Sequence, residues 1–248
     1  MVLVLTLFSC TEDPIVEDSP RDSGGLAVCE EPVEPACVDA MILDLALHDD
    51  KVSDGAVTNT ADGDAWYTSV DATAGGYGNS SDNPWVYLRF TDAGAERVDI
   101  DDETALESMD WDLAARRFIL RLNGGDSGPS CVGAATLMEQ GWDDVAEAPE
   151  GISYAVDDYY TDDCTMVNDS SGLPGSPQVV LGPWWSYSAC IATTGYVQLI
   201  QLADGRVVKF VVDRYYEEAA HQDTCNETGE APQAATSAIY TFHWQLLP

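Results

Sequence analysis

Seven cysteines, six of them beyond residue 28, constrain this chain more than any other feature. Cys29, Cys37, Cys131, Cys164, Cys190 and Cys225 form an even set, enough for three disulfides. Cystine-rich chains belong to oxidising, exported compartments. Zinc is the rival use of cysteines, but no C-x2-C pair occurs to support it, and no metal site is expected. Sequence alone leaves the connectivity open. Pairing of sequence neighbours is the simplest expectation: Cys29–Cys37, Cys131–Cys164 and Cys190–Cys225.

The seventh cysteine, Cys10, lies directly behind the apolar start MVLVLTLFSC. Leu7-Phe8-Ser9-Cys10 resembles a bacterial lipobox, in which a signal peptidase cuts ahead of a cysteine that then carries lipid. No Lys or Arg precedes Cys10, whereas export leaders carry a charged n-region. Thr11 to Pro35 is rich in Asp and Glu, with prolines at 14, 20, 32 and 35. A segment of this kind buries too little apolar surface to offset its ordering entropy. The chain therefore divides into a lipoprotein-type signal segment (1–10), an acidic Pro-rich tether (11–36) and a β domain (37–248). Past Cys10, no run approaches the ~20 apolar residues of a membrane-spanning helix. Attachment to a membrane would come from the lipid on Cys10 alone.

Charge narrows the function. The chain carries 44 acidic and 10 basic residues, a net charge of −34. Phosphate backbones need Lys and Arg, so nucleic acid is not a partner. Anionic lipid is equally repelled. Asp62 and Asp64, or Asp99, Asp101 and Asp102, could attract calcium, but neither group has EF-hand spacing. Five of the ten basic residues, Arg89, Arg97, Arg116, Arg117 and Arg121, fall close together in sequence. They either pair with neighbouring carboxylates or form a cationic patch for an anionic ligand.

The body of the chain reads as mostly β, with antiparallel hairpins and a few short helices in one disulfide-stapled domain. Ala40–Leu47 and Ala134–Gln140 are candidate helices. Trp85–Phe90, Ala95–Ile100, Phe118–Leu122 and Ile239–Leu246 are candidate strands. Phe118, Leu120 and Leu122 alternate with Ile119 and Arg121, as a strand with two different faces requires. Tyr240, Phe242 and Trp244 share one face of the last strand. Tyr196–Leu202 and Arg206–Val212, joined through Asp204-Gly205, form the clearest hairpin, because a tight turn needs positive φ. Met166–Cys190 reads as one long loop.

Several stretches, taken in order, resemble the HmuY-like family of haem-binding bacterial lipoproteins. Trp85-Val86-Tyr87-Leu88-Arg89-Phe90 is similar to the family's opening strand. Trp111-Asp112-Leu113-Ala114-Ala115-Arg116-Arg117 followed by Asn123-Gly124-Gly125-Asp126-Ser127-Gly128 resembles its W-D-[IL]-A strand and N-G-G-x-S-G turn. Asp204-Gly205, Lys209-Phe210 and Arg214-Tyr215-Tyr216 match its D-G-x-x-x-K…YY hairpin. Tyr240-Thr241-Phe242-His243-Trp244 is similar to its closing strand. Most of these residues specify a fold: Trp111 and Leu113 look like core anchors on one strand face.

The resemblance implies a surface protein that holds haem for uptake, in the outer membrane or at the cell surface, and passes it to a partner such as an outer-membrane receptor. Haem iron takes His, Met, Cys or Tyr as axial ligand. The family's His position after W-D carries Arg116 here. The chain's histidines, His48, His221 and His243, lie outside Asn123–Thr194, where ligands are expected. Met138 and Met166 lie within it and could ligate as a pair. Tyr154, Tyr159, Tyr160, Trp184, Trp185 and Tyr187 could wall a porphyrin, and Arg116, Arg117 or Arg121 could pair its propionates. The alternative is a non-haem module that binds a glycan, peptide or protein partner on the same fold. No nucleophile elbow, P-loop, HExxH or dinucleotide motif is present, so an enzyme is not expected.

Overall fold

The computed structural model describes residues 28–73 and 83–248. Cys10, the expected signal segment and the expected tether as far as residue 27 lie outside the described residues.

Among the described residues, twelve strands and three short helices follow in chain order. A six-stranded antiparallel sheet contains β1 (Val57–Asp62), β2 (Ala65–Asp71), β7 (Gly133–Leu137), β10 (Val197–Gln201), β11 (Val207–Tyr216) and β12 (Ser237–Leu246), in the order β1-β2-β12-β11-β10-β7. A four-stranded sheet runs β4-β3-β5-β6, from β3 (Val86–Thr91), β4 (Gly94–Val98), β5 (Leu113–Arg116) and β6 (Ile119–Leu122). β8 (Trp185–Tyr187) and β9 (Ile191–Thr193) form a small ribbon. The helices are α1 (Val38–Asp44), α2 (Asp102–Ala105) and α3 (Ala219–Thr228).

The two larger sheets pack face to face. Tyr240, Phe242 and Trp244 of β12 meet Leu88 and Phe90 of β3, Leu113 of β5 and Leu120 and Leu122 of β6 in one core. Phe90 sits edge-on to Trp244 with centroids 4.8 Å apart. A polar thread also joins the sheets. Trp244 donates its indole N–H to Thr68 Oγ1 (2.8 Å), Thr68 donates to Asn59 Oδ1 (2.7 Å), and the Asn59 amide pairs with both backbone groups of Ala95. The outer face of the small sheet is covered by α1, α2 and Tyr159–Tyr160, which bury Trp85, Tyr87 and Trp111. Trp142 and Tyr154 cover Val197, Leu199, Val207 and Val211 on the outer face of the large sheet.

The Asp204-Gly205 hairpin forms as its chemistry requires: Gly205 has φ +87° and β10 pairs with β11 from Gln201↔Val207 onward. Ala134–Gln140 is not helical. It is largely β7, an edge strand paired with β10, so sheet pairing overrides the helix propensity of Ala, Leu and Met. Trp111 and Leu113 do not share a face. Trp111 packs under α2, whereas Leu113 faces the inter-sheet core, because the regular strand begins only at Leu113. α3 was hidden in the sequence: it buries only Gln222 and Cys225, so it shows no apolar stripe.

Two of the expected disulfides are corrected. Cys29 bonds Cys131 and Cys37 bonds Cys164, in place of Cys29–Cys37 and Cys131–Cys164; Cys190 bonds Cys225. Pro32 and Pro35 keep the Cys29–Cys37 segment out of any helix or strand. Cys29 is laid instead along the body, its N–H donating to Ala203 O (3.0 Å), and Val33 N–H donates to Pro129 O (2.8 Å). The stretch of the expected tether from residue 28 to 36 is thus fastened to the domain. Among the described residues, no helix is long and apolar enough to cross a membrane.

Candidate functional site: an arginine–tyrosine groove

The arginine run separates into three uses. Arg89 and Arg97 pair at the surface with Asp110 and Asp99, each at 2.8 Å. Arg121 points inward from β6 and is fully buried, 4.1 Å above the Trp85 ring. Arg116 and Arg117 occupy the β5–β6 turn, where Arg117 adopts φ +53° and donates its N–H to Ala72 O (2.7 Å). The Arg116 guanidinium stacks 4.6 Å over Trp85 and donates to the carbonyls of Leu45, Ala46 and Asn83. Burial pulls its pKa down to about 10, which still leaves it charged at neutral pH.

Arg116 and Arg117 line a groove of about 600 Å³. Phe118, Tyr187, Tyr215 and Tyr216 supply aromatic surface, and Leu173, Pro174 and Ala235 close the sides. Phe118 is braced by Trp185 at 5.1 Å. Tyr215 is in contact with Trp184 and Tyr240, at 6.0 and 5.6 Å between centroids. Burial pushes the Tyr215 phenol up to about 12 and the Tyr240 phenol up as well, with Arg117 opposing both shifts. Trp184 Nε1 and the Tyr240 hydroxyl, behind Tyr215, are buried with no hydrogen-bond partner among the described residues. The groove therefore combines a cationic edge, flat aromatic walls and spare polar capacity behind one wall.

Two other clefts differ chemically. One of about 950 Å³ is lined by Thr136, Ser153, Asp158, Asp169, Ser171, Gln178, Trp185 and Tyr187. Buried Gln198 donates to Thr136 Oγ1 at its wall, and Gln198 Oε1 has no partner among the described residues. The other, about 560 Å³, is rimmed by Glu34, Asp49, Asp101, Glu103 and Glu107 over Val38, Ile42 and Leu106. Its charge is wrong for an anionic ligand.

The expected iron ligands do not gather. Met138 stands just past the end of β7, 62% exposed. Met166 is half-buried against the cluster under α1. Neither lines any of the three clefts. Of the expected aromatic walls, Tyr159 and Trp184 are core residues, Tyr160 is buried and donates to Asp44 (3.1 Å), and Tyr154 belongs to the outer cluster under Trp142. Trp185 and Tyr187 do reach a cleft. Phe118, Tyr215 and Tyr216 were missed as walls; the paired tyrosines after an Arg were the available signal. Three of the suspected calcium ligands serve the fold. Asp101 caps α2 through Thr104, Asp102 accepts from Trp85 N–H (2.9 Å), Tyr87 Oη (3.1 Å) and His48 N–H (3.1 Å), and Asp99 pairs with Arg97. His243 is held by Asp213 (2.8 Å) and packs 4.1 Å from Trp142.

Solved structures with a similar trace include a candidate lipoprotein of Bacteroides fragilis (TM-score 0.47, 18% identity, covering 75% of this chain and 93% of that one). Another is a candidate HmuY-like haem-binding protein of Bacteroides vulgatus (0.47, 15%, 76% and 95%). A third is an apo HmuY analogue of Tannerella forsythia (0.41, 14%, 80% and 100%). No curated protein sequence matches the chain. The family model described as HmuY protein matches residues 81–228, more than half of the 248 residues, and the chain belongs to the HmuY family.

Proposed function

We propose that this is an exported surface lipoprotein, anchored through Cys10, that holds haem or a closely related anionic tetrapyrrole for uptake. The ligand lies in the groove of Arg116, Arg117, Phe118, Tyr187 and Tyr215. One observation carries the reading: in a chain of net charge −34, two adjacent arginines edge a groove walled by aromatic rings. A porphyrin presents a flat apolar disc and two propionates. The disc suits Phe118 and the tyrosines, and the carboxylates suit guanidinium groups. A volume of about 600 Å³ lies within the range of small-molecule sites.

Titration of the purified protein with hemin tests the reading. A Soret shift at micromolar hemin, weakened about tenfold or more in Arg117→Glu, supports it. No shift at micromolar hemin removes it. A non-haem reading has its own observation, the larger cleft with its hydroxyl, carboxylate and amide lining and the unpartnered Gln198 Oε1. That lining suits a glycan. It is favoured over haem if a glycan array gives a ligand whose binding Gln178→Ala abolishes while hemin gives no spectral change.

A further inference from the structure

We infer that recognition in the arginine–tyrosine groove is indifferent to the metal: the groove takes a planar tetrapyrrole dianion by its ring and its carboxylates, with or without iron. This rests on the proposed haem reading and narrows it.

The donor set is the reason. Strong protein ligands to haem iron are His, Met, Cys and Tyr. Among the described residues that line the groove there is no His and no Met. Its cysteine, Cys190, is bonded to Cys225. Met41 is buried and accepts from Arg121 (3.4 Å) and from the Tyr159 hydroxyl (3.6 Å), and Met138 and Met166 lie elsewhere. His243 is engaged by Asp213.

The groove's own oxygen donors are largely committed. The Tyr216 hydroxyl accepts from Ile191 N–H (3.1 Å). Asp44 accepts from Tyr160. Tyr215 is 3% exposed, and burial keeps its phenol protonated. Among the described phenols of the groove, that of Tyr187 is the accessible one, 43% exposed and at the rim between two clefts. The groove's cationic edge suits carboxylates, with Arg117 on its lining and Arg116 adding charge while its guanidinium donates to the Leu45, Ala46 and Asn83 carbonyls, and Phe118 with the tyrosines suits a ring. Neither contact involves the centre of the macrocycle.

The test is a parallel titration of the full chain with hemin, metal-free protoporphyrin IX and its zinc complex, read by quenching of tryptophan fluorescence. Dissociation constants within about threefold of one another are expected, and Met138→Ala/Met166→Ala leaves all three unchanged. Hemin binding at least tenfold tighter than metal-free porphyrin overturns the inference while leaving the haem reading intact. If Tyr187→Phe then erases that advantage, the rim phenol is an iron ligand and the inference is wrong for that reason. Failure of all three to bind overturns the haem reading and this inference together.

Discussion

The guanidinium of Arg121 lies 4.1 Å above the ring of Trp85, and both residues are fully buried. Arg116 stacks on the same ring at 4.6 Å, so one indole is shared by two cations. Asp102 and Asp157 offset their charge inside the fold, and Arg121 also donates to the Tyr87 hydroxyl (3.4 Å). Removing Arg121 strands those carboxylates away from water. Arg121→Met is expected to cost about 3–5 kcal/mol in urea unfolding. Arg89→Ala, which breaks an exposed pair with Asp110, is expected to cost about 1 kcal/mol at most. Equal losses for the two variants would mean that Arg121 is not acting as a buried counter-charge.

Asp157 ties three parts of the chain together. Its carboxylate accepts from Leu122 N–H (3.1 Å), Ser127 Oγ (2.6 Å) and Val180 N–H (2.8 Å). Burial outweighs those bonds and raises its pKa from 3.8 to about 6. A folded pKa above the unfolded one favours folding in acid. The contribution is fully present below pH 3.8 and is lost as pH rises through about 6. Asp157→Asn replaces one acceptor oxygen by an amide donor, so it is expected to destabilise the protein by about 1–3 kcal/mol. The gap in stability between wild type and Asp157→Asn should widen as pH falls from 7 to 5. A gap independent of pH would show that the group does not titrate in that window.

How far the sequence revealed the molecule depends on the range of each contact. Asp204-Gly205 and the alternation of Tyr240, Phe242 and Trp244 were readable because turn geometry and strand period are local. Arg121 alternates with Leu120 and Leu122 as a solvent-facing residue would, yet α1 covers that face of β6 and buries it. The groove was the least legible part. Ala46, Arg117, Tyr187, Tyr215 and Ala235 meet there from five separate stretches of chain. Nothing in the spacing of those residues records that they converge. Phe118 and Tyr215 were visible as aromatics but carried no sign of a shared cavity.

The disulfide pattern gives a chemical check on the topology. Cys29–Cys131 and Cys37–Cys164 span 102 and 127 residues and fasten the N-terminal segment across the small sheet. Non-reducing peptide mapping should recover those pairs together with Cys190–Cys225. A peptide linking Cys29 to Cys37 would contradict this arrangement. Closing a loop of about 100 residues restricts the unfolded chain by up to about 5 kcal/mol. Cys37→Ser/Cys164→Ser should therefore lower stability by about 2–5 kcal/mol. Cys190→Ser/Cys225→Ser, which opens a loop of only 35 residues, should cost less.

Gly125 and Gly175 separate two costs of adding a methyl group. Both adopt positive φ, +62° and +70°. A Cβ on Gly175 would meet nothing within 4 Å, so Gly175→Ala carries only the conformational penalty of about 1–2 kcal/mol. A Cβ on Gly125 would overlap the carbonyl oxygen of Asp157 and press on Val156. That carbonyl accepts from Asp126 N–H (2.8 Å), and the Asp157 side chain holds Leu122, Ser127 and Val180, so it cannot retreat without loosening all of them. Gly125→Ala is expected to cost about 4 kcal/mol or more, and its urea midpoint should fall well below that of Gly175→Ala. Matching midpoints would show that the Asp157 backbone yields easily, and the tight N-G-G turn would then have no packing requirement for its second glycine.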